Sequence, residues 1–162
     1  MKRNLLIIFG LFMLLASVAC AQGNTALKPE GILPAEVPNA LKLCESYADL
    51  IKKGAYHEAI DRYNFYSSNV DAEMKARIQK EFIANMANFV KANGPIQSFQ
   101  FDRYSFSNMM NLPGGRVLPR NVAVYYSGIL KDGHQSKVTF QVIKIDNAFK
   151  ILSFEMKMMK KT

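Results

Sequence analysis

The sequence predicts an α+β fold in which about three N-terminal helices pack on a four-stranded antiparallel sheet. Three observations carry that expectation. Apolar residues recur at three- and four-residue steps up to residue 93, as one face of a helix requires. Asn93-Gly94-Pro95 then ends helical structure, because proline cannot continue it and glycine accepts the conformation of a helix stop. Beyond that point apolar residues alternate, with turn signals at Lys131-Asp132-Gly133-His134 and Asp146-Asn147.

In chain order, the first element is a leader. Lys2-Arg3 is a positive start, residues 5–16 are an unbroken apolar stretch, and Ala16-Ser17-Val18-Ala19-Cys20-Ala21 is a run of small residues. That is the three-part pattern of a secretory signal over residues 1–21, shorter than the ~20 apolar residues a membrane-spanning helix needs. Two processing readings stand. Ala19-Cys20-Ala21 suits cleavage before Gln22, whereas Ser17-Val18-Ala19-Cys20 resembles a bacterial lipobox in which Cys20 is lipidated. The expected location is therefore periplasmic or secreted, with a lipid anchor at the cell envelope as the alternative. Either route uses or removes Cys20, which leaves Cys44 alone on an apolar helix face as a small buried hydrophobe.

Residues 22–37 are punctuated by Pro29, Gly31 and Pro34 and read as a linker, with a single domain over 38–162. The first helix starts near Pro38 and stops at Gly54, burying Ala40, Leu43, Cys44, Tyr47, Leu50 and Ile51. A second covers about 56–65 with Ala59, Ile60 and Tyr63 inward, before Ser67-Ser68-Asn69 breaks the pattern. Asp71 can cap the third, whose stripe is Met74, Ile78, Phe82, Met86, Phe89 and Val90. In residues 96–106 the aromatics Phe99 and Phe101 share one parity and Tyr104 and Phe106 the other, so a bulge is expected between them. A loop with Asn108, Asn111 and Pro113-Gly114-Gly115 follows. Val122, Val124 and Tyr126 mark the second strand, Val138, Phe140 and Val142 the third, and Phe149 to Met156 the fourth.

Composition limits the function classes. The 162 residues are 49% hydrophobic and 11% aromatic, enough for one domain with a real core. The net charge of +8, lowered by two without Lys2 and Arg3, favours anionic surfaces, and Lys131, Lys137 and Lys150 would lie on such a face. No basic run interleaved with aromatics marks a nucleic-acid partner. There is no Gly-x-Ser-x-Gly, phosphate-cradling glycine loop or dinucleotide fingerprint, and no cofactor is expected. His57 reads as a surface residue and His134 sits at a hairpin tip, and neither stands at metal-ligand spacing with Cys44.

The stretch from Tyr47 to Ala59 (Tyr47-Ala48-Asp49-Leu50-Ile51-Lys52-Lys53-Gly54-Ala55-Tyr56-His57-Glu58-Ala59), the Lys131-Asp132-Gly133 hairpin and Asp146-Asn147-Ala148-Phe149-Lys150-Ile151 resemble the nuclear transport factor 2-like superfamily. The resemblance covers roughly residues 39–158 and is nearest to small exported bacterial members. Phe149 stands where Trp is common, and no strand pair separates the second and third helices. The resemblance implies a cystatin-like cone, its sheet curved around a long helix and open at one end.

Two functions follow from these residues. In a non-catalytic binding domain, Phe99, Phe101, Tyr126, Phe140 and Phe154 would line an apolar cone for a small apolar ligand, or the domain would hold a protein partner. In the isomerase- or dehydratase-like enzyme that the resemblance implies as the alternative, Asp102 would be the general base, with Glu155 the other acidic candidate on the sheet, and Tyr104 its hydroxyl partner. Homodimerisation through the open sheet face, by Tyr125 or the Met156-Met158-Met159 edge, is a third expectation, and contact with a membrane is expected only through a lipid on Cys20.

Overall fold

A computed structural model describes residues 29–62, 71–107, 110–112 and 116–159. The leader, the expected far end of the second helix with Tyr63 and Ser67-Ser68-Asn69, Asn108 and Pro113-Gly114-Gly115 of the expected loop, and Lys160-Lys161 lie outside them.

Among the described residues three α-helices precede the four long strands of the main sheet. Helix α1 spans Val37–Lys53, with Pro38 in its first turn, where the missing N–H costs nothing. Gly54 ends it at φ +73, a left-handed conformation that suits a residue without Cβ. Helix α2 is the single turn and a half Tyr56–Asp61. Helix α3, Ala72–Asn93, begins as expected at Asp71, whose carboxylate accepts from the Met74 N–H at 2.7 Å. Its inward stripe is Ile78, Phe82, Met86 and Phe89, while Met74 sits one turn before the covered part and is exposed.

Four long strands follow: β2 Ile96–Ser107, β5 Asn121–Leu130, β6 Gln135–Ile145 and β7 Ala148–Met158. They pair antiparallel in the order β2-β5-β6-β7. Both expected hairpins are present. Gly133 takes φ +78 in the β5–β6 turn, and Asp146 and Asn147 both take positive φ in the β6–β7 turn, where two left-handed residues match the strand twist.

Two regions differ from the sequence expectation. The stretch read as a loop between β2 and β5 carries a small antiparallel ribbon, β3 (Met110–Leu112) with β4 (Arg116–Leu118). Each strand is three residues long, too short for alternation to register. The second region is the stretch read as linker. Strand β1, Pro29–Glu30, pairs with Ile145 and Lys144 of β6, in the line of β5 but beyond its first residue. Ile32 donates its N–H to the Arg120 carbonyl and buries its side chain completely. Lys144 then holds the segment by two carboxylates, Glu36 at 2.7 Å and Glu30 at 3.2 Å. The packed body therefore begins at Pro29, ahead of Pro38.

One core lies between the helices and the concave sheet face. Phe140 is its centre. Its ring lies 5.6 Å from Tyr47 of α1, 5.6 Å from Tyr126 and 5.2 Å from Phe154, which in turn meets Phe82 of α3 at 6.1 Å. All four contacts are tilted or edge-on, the arrangement that aligns positive ring edges with negative faces.

Candidate functional site

Strand β2 decides what the concave face presents. Its register on β5 runs Phe99 to Gly128 and Phe101 to Tyr126, then Arg103 to Tyr125 and Tyr104 to Val124. Asp102 is the extra residue, so the expected bulge is there. The bulge resets parity and puts Phe99, Phe101, Tyr104 and Phe106 opposite the inward positions Gly128, Tyr126, Val124 and Val122. They form one aromatic row along the concave side of an outer strand. The row is only partly covered: Phe101 is 49% and Tyr104 44% exposed.

Phe101 stands edge-on over Tyr126, ring centres 5.8 Å apart. Tyr126 is 4% exposed, and its hydroxyl is buried without a hydrogen-bond partner among the described residues. A buried hydroxyl left unpaired costs about 1–3 kcal/mol, so Tyr126, in contact with a half-exposed ring, carries an unfilled demand. Burial first, then the nearby Cys44 and Glu45, pushes the Tyr126 phenol well above its ordinary pKa and keeps it protonated. Cys44 beside it is fully buried, and burial raises its thiol to about 12. It is a packed hydrophobe, not a nucleophile.

The other sequence-derived candidates fall elsewhere. Phe140 and Phe154 belong to the closed core and not to a lining. Tyr104 faces the row, edge-on to Phe106 at 6.1 Å. Asp102 does not join them. Its carboxylate accepts from Arg103 at 3.1 Å, and the Arg103 guanidinium lies 4.7 Å over the Tyr125 ring. Neighbouring residues of a strand face opposite sides, so the Tyr125 side is the convex one. A base held there, half-exposed, cannot reach a ligand at Tyr126. Sequence parity showed the bulge but not which way the extra residue would turn.

Arg120 closes one end of the row, 4.3 Å over the Phe106 ring, and sequence reasoning missed it because cation–π contacts leave no periodic mark. At the opposite end of the β5–β6 hairpin, His134 Nδ1 pairs with the Asp132 carboxylate, whose pKa is lowered by the His134 backbone N–H and then by its ring. Among the described residues no cluster of His, Cys, Asp or Glu is placed to hold a metal ion, and no helix is long and apolar enough to cross a membrane.

A curved antiparallel sheet wrapped around helices, with an aromatic row at its open edge, defines a nuclear transport factor 2-like (NTF2-like) cone. Among solved structures the chain is similar to a Campylobacter jejuni protein provisionally named an NTF2-like transpeptidase. The match has a TM-score of 0.54 at 11% identity and covers 70% of this chain and 97% of that one. At that identity the likeness is one of fold. No family model matches the sequence, and no curated protein does.

Proposed function

We propose that this is an exported, non-catalytic binding domain of the cell envelope that takes a small apolar ligand on the aromatic row of β2. The single observation behind this reading is the edge-on contact of half-exposed Phe101 with Tyr126, whose buried hydroxyl has no hydrogen-bond partner among the described residues. A ligand whose flat apolar body lies on Phe99, Tyr104 and Phe106, and which displaces Phe101 from the Tyr126 ring, would offer that hydroxyl one polar atom. Few placed polar groups in an apolar setting is the usual make-up of a small-molecule site. The leader pattern of residues 1–21 supports export. Native mass spectrometry of the purified protein, followed by titration of any co-purified molecule, tests the reading. Tyr126→Phe is expected to weaken binding about tenfold, the worth of one hydrogen bond, and Phe101→Ala to weaken it more. Binding unchanged by both substitutions overturns it, as does a protein that neither carries nor takes up any apolar molecule.

The enzyme alternative would need a base on the concave side. With Asp102 turned to the convex face by Arg103, no described carboxylate of β2 supplies one.

A further inference from the structure

Strand β2 is the outer strand of the sheet, paired on one side with β5 and on the other with nothing among the described residues. It is twelve residues long and carries two of the chain's exposed large hydrophobics. Such an edge is a template for another strand unless something blunts it. A bulge ordinarily does so, but this bulge has an unusual consequence.

Set antiparallel against a second β2 about the Asp102–Arg103 peptide, the strand complements itself. Asp102 opposes Arg103 of the second copy, Phe101 opposes Tyr104, Gln100 opposes Ser105 and Phe99 opposes Phe106. Both carboxylate–guanidinium pairs have opposite charge, and every other pair joins aromatic to aromatic or polar to polar. The faces agree as well. In an unbroken strand Phe101 and Tyr104 would lie on opposite sides, because their spacing is odd. The Asp102 bulge returns Tyr104 to the side of Phe101, so both aromatic pairs fall on the concave face of both copies. Gln100 and Ser105 fall with Tyr125 and Ser127 on the convex face. The two bulges meet at the axis with two residues on each side, so neither interrupts the other's register.

We propose that two copies of this chain pair through β2 about that axis, joining their sheets and making one aromatic floor from two rows. The charges needed are in place: the Asp102 and Arg103 side chains are half-exposed and bonded to one another within the chain, ready to exchange for the same contact between chains. A two-fold pairing of this kind closes on itself and does not propagate to fibres. The other outer strand, β7, carries Lys150 and Lys157, cations that oppose indiscriminate pairing.

Sedimentation equilibrium of the intact protein, with charge exchange, tests the pairing without any ligand and so separately from the binding reading. The wild type is expected to be a reversible dimer at micromolar concentration. Asp102→Arg alone and Arg103→Asp alone each set like charges opposite one another at two symmetry-related places and should weaken association about tenfold. The double variant Asp102→Arg/Arg103→Asp should restore it. In a Cys20→Ser background, Gln100→Cys/Ser105→Cys should give a covalent dimer on oxidation, and the out-of-register pair Gln100→Cys/Ser107→Cys should not. A strict monomer overturns the proposal. So does a dimer that ignores both charge reversals, a double variant that stays apart, or cross-linking equal in the two registers.

Discussion

Lys144 Nζ donates to Glu36 Oε1 across 2.7 Å, joining the start of the folded body to a strand 108 residues later in the chain. The same carboxylate accepts from the Leu33 N–H at 2.9 Å, so Glu36 fixes both the local turn and its docking. Lys144 is largely shielded, at 13% side-chain exposure.

This clamp should give stability a defined pH window. The Lys144 hydrogen bond and then the Leu33 N–H lower the Glu36 pKa, so its contribution is present above the ordinary carboxylate value and lost as pH falls through the lowered one. Glu36 and then Glu30 raise the Lys144 pKa, so its contribution is present below the ordinary lysine value and lost as pH rises through the raised one. Urea midpoints of the wild type minus those of Lys144→Met should thus be largest between about pH 5 and 10 and shrink on both sides. A difference flat from acid to alkali would show that the clamp contributes nothing.

Tyr126→Phe should stabilise the free protein by about 1 kcal/mol while weakening ligand binding, because it deletes a buried hydroxyl that has no partner. Chemical denaturation with and without ligand measures both effects. Loss of stability in the free protein would mean the hydroxyl is satisfied.

Gly128 has no room for a side chain. A Cβ there would stand 2.5 Å from Ser136 Oγ and 3.4 Å from the Phe99 ring, and Ser136 is itself buried and donates to the Gly128 carbonyl. Gly128→Ala should cost about 1–3 kcal/mol, and less in a Ser136→Ala background where the hydroxyl is gone. A double-mutant cycle in urea reads the coupling; strict additivity would refute the contact.

Phe140→Ala should cost about 3–5 kcal/mol, since the ring is fully buried against three others that cannot all collapse into the space. Calorimetry checks it, and a cost below that of a surface substitution would misplace the core.

Cys44 should resist thiol reagents at neutral pH until the protein unfolds, because burial holds the thiol near 12 and closes access. In a Cys20→Ser variant, colour release from an aromatic disulfide should follow the unfolding curve; prompt reaction of the native protein would contradict the burial.

Much of this architecture is legible in the residues. Helical spacing before Asn93 and alternation after Pro95 place the two layers, because one-sided burial imposes different periods on a helix and a strand. The parity change between Phe101 and Tyr104 marks the bulge that organises the aromatic row. Other features are not local. Phe101 and Phe140 look alike in sequence, yet one lies on the outer strand and the other beneath two helices, and only the sheet order separates them. The direction of Asp102 depends on Arg103 finding Tyr125 across the strand pair. Pro29–Glu30 forms a strand only because β6 outruns β5 and leaves a place beside Lys144 and Ile145.

That early start of the folded body shortens the leash on which the domain would work. Eight residues, 21–28, separate Cys20 from Pro29, and a fully stretched chain of that length reaches about 28 Å. Were Cys20 lipidated, the Asp146-Asn147 end of the sheet, where β1 docks, would be held within one protein diameter of the bilayer, with little freedom to roam or turn over.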